Sequence, residues 1–110
     1  MQQLSLDARA REHLERAAAS STGRSAETLY GGHDHSLRRT LVALRAGTAP
    51  ADHENPGEAT VVVLRGRVRP HRGDEVWEGM AGDPLVVPPA RHGLAALEDY
   101  AVLPTVVKAA

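Results

Sequence analysis

The stretch that most constrains this chain runs from Gly47 to Gly66, GTAPADHENPGEATVVVLRG. Thr60, Val61, Val62 and Val63 form a run too short and too β-branched for a helix. A polar corner, Asn55-Pro56-Gly57, precedes the run and Arg65-Gly66 follows it. The layout reads as strand, corner, strand and a two-residue hairpin turn, with residues 67–71 returning antiparallel. Alternation along that return places Val68 and Pro70 inward and Arg67 and Arg69 outward.

The rest of the chain after residue 24 repeats this grammar. Residues 25–32 read as a short strand around Thr28, Leu29 and Tyr30 that ends at Gly31-Gly32. Residues 36–46 read as a strand with Leu37, Leu41 and Ala43 on one face and Thr40, Val42 and Leu44 on the other. Glu75 to Glu78 read as a short strand carrying the only tryptophan, Trp77, with the core as its expected place and a ligand cavity as the alternative. Leu85 to Val87 read as a buried strand stopped by Pro88-Pro89. His92 to Leu97 and Ala101 to Val107 supply the last strands, with Pro104 marking an edge or a bulge. About eight short strands at regular spacing predict an all-β fold, a small jelly-roll β-barrel.

One helix precedes them. Leu6, Ala10, Leu14, Ala17 and Ala18 recur at helical spacing over residues 4–19, with Ser5 as N-cap and Asp7 in the first turn. The expected division is residues 1–24 as N-terminal helix and linker and residues 25–110 as the barrel domain. The alanine-rich stripe is a docking arm for the barrel or for a partner subunit. It is a poor DNA-reading helix, because Glu12 and Glu15 would face the phosphates too.

Composition excludes whole classes of function. With 13 basic and 14 acidic residues the net charge is −1, which argues against a general nucleic-acid or membrane-surface binder. Arg65, Arg67, Arg69 and Arg72 form a basic edge without interleaved aromatics, read as a solvated strand face. The absence of cysteine removes disulfides, thiolate metal sites and cysteine nucleophiles. No secretory leader or apolar membrane span is apparent, so a cytoplasmic location is expected. The Ala, Arg, Val and Pro bias with a single lysine points to a high-GC bacterial genome.

Two separated motifs resemble those of the cupins. Gly47, His53 and Gly66 fall on the glycine, first histidine and closing glycine of the first cupin motif, and Gly82, Pro88 and His92 fall on the second. The resemblance covers residues 47–92 and implies the cupin barrel. In metal-binding cupins, two histidines and a glutamate of the first motif and a histidine of the second hold one divalent metal. Here Asn55 stands at the second histidine position and Ala59 at the glutamate position.

The resemblance therefore implies a degenerate site. His53, Asn55 and His92, with Trp77, are the candidate ligand-binding residues, and His53 and His92 are the candidate ligands of one weakly bound divalent transition metal. His33 and His35, two residues apart, and Glu58 are possible additional ligands. Glu58 is one residue out of phase, so only a bulge would turn it inward. The expectation is a cytoplasmic small-molecule-binding or sensing barrel, leaning away from catalysis, and a homodimer, since many cupins pair through sheet edges. The alternative is a metal-dependent enzyme of dioxygenase or isomerase type using His53 and His92, with a regulatory role through a partner as a third reading. Neither a Ser-His-Asp arrangement nor a phosphate-binding glycine loop is apparent.

Overall fold

A computed structural model describes residues 3–48, 57–87 and 93–108, although not the side chains of Arg72 and Lys108. Helix α1, Leu6–Ala19, begins where the Ser5 hydroxyl accepts from the Ala8 N–H at 3.1 Å. Asp7 in its first turn pairs with Arg11 and Arg65. At its far end Arg45 donates to the carbonyls of Ala18 and Ser20 at 3.1 Å each, which satisfies acceptors left open where the helix stops. No described helix is long and apolar enough to cross a membrane.

Nine strands follow among the described residues: β1 Arg24–Tyr30, β2 Leu37–Leu44, β3 Gly57–Arg65, β4 Arg67–Arg72, β5 Glu75–Val76, β6 Gly79–Met80, β7 Pro84–Val87, β8 Gly93–Ala96 and β9 Tyr100–Lys108. They form two antiparallel sheets. One has the order β1-β2-β9-β3-β7; in the other, β4 pairs with β5 and β6 along one edge and with β8 along the other.

Period-two alternation gives the five-stranded sheet two apolar faces. Leu44, Val63, Tyr100 and Val102 face the second sheet and pack with Val68, Leu94 and Ala96 from it. Burial of a fully enclosed valine such as Val63 or Val68 is worth about 1.5–3 kcal/mol. Leu41, Ala43 and Ala101 face the other way, where Ala10, Ala17 and Leu14 of α1 cover them. Alanine on both sides of that contact lets the helix lie close to the sheet.

Four sequence expectations change in three dimensions. Arg65-Gly66 is not a hairpin turn: β3 lies in one sheet and β4 in the other, and Gly66, at φ +81°, is where the chain crosses. Leu85–Val87 is not a buried strand. β7 pairs only with β3 among the described strands, and Val86 is 85% exposed. The final strand is not an edge either, because β9 lies between β2 and β3. Pro104 instead falls where the β2 ladder is interrupted, between Arg39↔Thr105 and Val42↔Val102, so its missing N–H costs no bond there. Trp77 does not fill the core. The strand expected over 75–78 breaks after Val76, and Trp77 sits in the link to β6, 45% exposed.

Candidate functional site

The motif residues His53, Asn55 and His92 lie outside the described residues, but the strand positions around them are defined. Gly57 opens β3 immediately after the first segment, and Val87 closes β7 immediately before the second. Val87 is paired directly with Ala59 of β3. The two halves of the motif therefore enter the described structure side by side at one end of the five-stranded sheet.

The interior wall at that end is apolar. Ala59, Val61 and Val63 of β3 share the face that looks at the second sheet, alongside Val87 and Leu85 of β7 and Val106 and Pro104 of β9. Ala59, at the position where metal-binding cupins carry their glutamate, is on this inner face and only 8% exposed. Glu58 is on the outer face and exposed. The β3–β9 register runs without a shift from Gly57↔Lys108 to Val63↔Val102; the irregularity comes later, between Val63 and Arg65. No bulge is present to rotate Glu58 inward.

His33 and His35 do not supply the missing ligand. Both are exposed in the link between β1 and β2, and the His35 ring lies against Tyr30 with centroids 4.9 Å apart. The strands that flank their link, β1 and β2, lie three and two strand spacings from β3, about 14 and 10 Å, and β9 stands between them and Glu58. Among the described residues, no group of three His, Asp or Glu side chains is arranged to hold a metal ion. The described part of the site thus lacks the carboxylate that the family's metal centre uses.

Trp77 is exposed at the margin of the four-stranded sheet, its backbone N–H donating to the Pro70 carbonyl at 3.0 Å. The basic edge is neutralised in part: Arg67 and Arg69 each lie 3.5 Å from Glu78, and Arg65 pairs with Asp7. That pairing of Arg65, Arg67 and Arg69 fits a solvated strand face.

One polar constellation escaped the sequence reading. His13 of α1 is 2% exposed, with Nδ1 at 2.6 Å from the Ser25 hydroxyl and Nε2 at 2.9 Å from Glu27 Oε1. The hydrogen bond from His13 holds the Glu27 carboxyl below the usual carboxylate range, against the opposing effect of desolvation; the charges of Arg9 and Arg16 reinforce it. A carboxylate only accepts, so Nε2 carries the hydrogen, and the Ser25 hydroxyl rotates to suit whatever Nδ1 presents. The imidazole is sealed between α1 and β1, and the trio is a structural pin for the helix. Its only signal in the sequence was a histidine three residues after Ala10 and four before Ala17, on the buried stripe. In the inter-sheet core, burial pushes the Tyr100 hydroxyl well above its ordinary pKa, so it stays neutral.

No family model matches the chain, and no curated protein does. Solved structures do. A conserved protein of unknown function from Streptococcus pyogenes is 27% identical over 83% of this chain and 79% of its own, with a TM-score of 0.72. A cupin superfamily protein from Desulfitobacterium hafniense is 17% identical over 78% of each chain, also at 0.72. An RmlC-like cupin from Shewanella frigidimarina is 21% identical over 81% of this chain and 79% of its own, at 0.69. At such identities the likeness to the two cupins speaks for the fold alone. With two facing antiparallel sheets, and with β3 and β7 paired where each adjoins a motif segment, the chain folds as a small cupin domain.

Proposed function

We propose that this protein is a ligand-binding cupin rather than a metal enzyme. Its ligand is a small molecule with an apolar body, held by Ala59, Val61, Leu85 and Val87 and by the polar groups of His53, Asn55 and His92. The observation that carries the reading is the pair Ala59 and Glu58: the inward position holds a methyl group, and the carboxylate beside it faces out. Two imidazoles and an amide offer a divalent metal fewer and weaker anchors than a set that includes a carboxylate. An apolar wall with a few convergent polar groups is the usual make-up of a small-molecule site.

Metal retention tests the reading. Protein incubated with iron(II), manganese, nickel or zinc and then desalted is expected to hold well under one equivalent by elemental mass spectrometry. Ala59→Glu, which adds a carboxylate on the inner face, is expected to raise retention in a manner lost on His53→Ala or His92→Ala. Near-stoichiometric metal in the wild-type protein would overturn the proposal and put the metal-dependent enzyme first.

A further inference from the structure

Alternation along β2 fixes which of its side chains look into the space between the sheets. The β2–β9 pairing keeps one register from Leu37↔Val107 to Leu44↔Tyr100, and Val42 and Leu44 pack in the inter-sheet core, so Arg38 and Thr40 share their face. Arg38 lies in one cross-strand row with Val106, Ala59 and Val87, at the end of the sheet where β3 and β7 adjoin the motif segments. Two residues further along the strands, Thr28 and Thr40 are paired on one side and Val61 and Leu85 on the other. The lining is therefore divided. β1 and β2 contribute a guanidinium and two hydroxyls, whereas β3 and β7 contribute aliphatic groups.

Arg38 is a cation without a partner among the described residues. It is exposed, and it makes no ion pair or side-chain hydrogen bond with any of them. No Asp or Glu takes an inward position on the five strands: Glu27 faces α1 and Glu58 faces out. On the facing sheet the acidic strand residue is Glu75, whose register partner is Arg72. The base of Arg38 is held by a close backbone approach. A Cβ at Gly31, whose φ is +129°, would meet the Arg38 Cα and the Leu37 carbonyl oxygen at 3.1 Å each.

We propose that Arg38 selects the charge of the ligand: the molecule bound in the barrel is a small carboxylate, with its carboxyl group on Arg38 and its hydrocarbon body along Ala59, Val61, Leu85 and Val87. This rests on the ligand-binding reading above. A guanidinium offers one carboxylate two parallel N–H donors, and such charge-assisted pairs are stronger than neutral hydrogen bonds. Arg38 and Ala59 stand two strand spacings apart, about 10 Å, a gap that a molecule of several carbons spans. With a methyl group at residue 59, the inner face has the cation and lacks the anion, and the ligand supplies it. A neutral molecule of the same shape fits the aliphatic wall equally well and gains no ion pair.

Hexanoate and hexanamide, equal in chain length and different in charge at neutral pH, test the proposal. Each is titrated into isotope-labelled protein and binding is read from amide shifts by NMR, with circular dichroism to check that every variant folds. Hexanoate is expected to shift the amides of Ala59, Val61 and Val87 and to bind about tenfold more tightly than hexanamide. Arg38→Ala is expected to bring the two affinities together, and Arg38→Lys to keep part of the preference, because a point charge lacks the fork. Arg39→Ala removes the same charge one residue away, on the outer face, and is expected to leave both affinities unchanged. Equal affinities in the wild type, or a preference for hexanoate that survives in Arg38→Ala, would overturn the role of Arg38 and leave the ligand-binding reading standing. No shift at those amides with either probe at millimolar concentration would overturn both.

Discussion

Replacing Gly66 by alanine probes the point at which the chain leaves one sheet for the other. Its φ of +81° is one that an L-residue adopts at a cost of about 1–2 kcal/mol. A Cβ there would also overlap the Asp99 carbonyl oxygen and lie 3.0 Å from the Tyr100 Cα. Both obstacles are backbone, and Tyr100, 1% exposed, opens the central strand, so relief requires moving β9 rather than a side chain. Overpacking of this kind costs about 1–3 kcal/mol more. Gly73 is the control: its φ is +57°, but nothing lies within 4 Å of the corresponding Cβ. Gly73→Ala is expected to cost about 1 kcal/mol and Gly66→Ala about 3–4 kcal/mol, in urea denaturation followed by circular dichroism. At this chain length that is a Tm loss of about 4 °C against about 12–16 °C. If the two variants fall within about 1 kcal/mol of each other, close approach of the backbone is not what Gly66 provides.

Glu27 makes a pH prediction. Its carboxyl is held below the ordinary value of 4.5 in the fold, so its stabilisation is complete above that value and is lost as pH falls through the folded pKa. The urea midpoints of wild type and Glu27→Gln should differ at pH 7 and converge in acid, and a gap that stays constant down to pH 3 would contradict the His13–Glu27 pairing. In the core under α1, Leu41 is fully buried, so Leu41→Ala should cost about 2–5 kcal/mol, whereas Val76→Ala, at a 55% exposed position, should stay within about 0.5 kcal/mol. Equal losses would mean that the helix does not seal that face.

Much of the fold was legible locally. The helix starts at the expected cap, Ser5, and Val68 is buried between exposed Arg67 and Arg69 as alternation requires. Glu58 faces away from the interior because β3 keeps its register, as its phase in the sequence implied. The parts that misled were those in which a local signal has two tertiary meanings. A positive-φ glycine after a strand serves a hairpin or a crossing between sheets equally well. Val86 and Trp77 are apolar in the sequence and exposed in the fold, because no described element of the chain lies over them. His13 sits between Ala10 and Ala17 on the helix's buried stripe, and only the arrival of Ser25 and Glu27 on β1 makes it a buried anchor.

The sequence by itself determined where the helix begins, where most strands lie and which side chains of a strand share a face. These depend on capping groups, steric preferences and a two-residue period, all set within a few residues of chain. The tertiary structure decided which strands pair, that β9 is central despite its proline, and which of the sheet's two apolar faces the helix covers. Those outcomes rest on hydrogen bonds and burial between residues far apart in sequence, which no local pattern encodes.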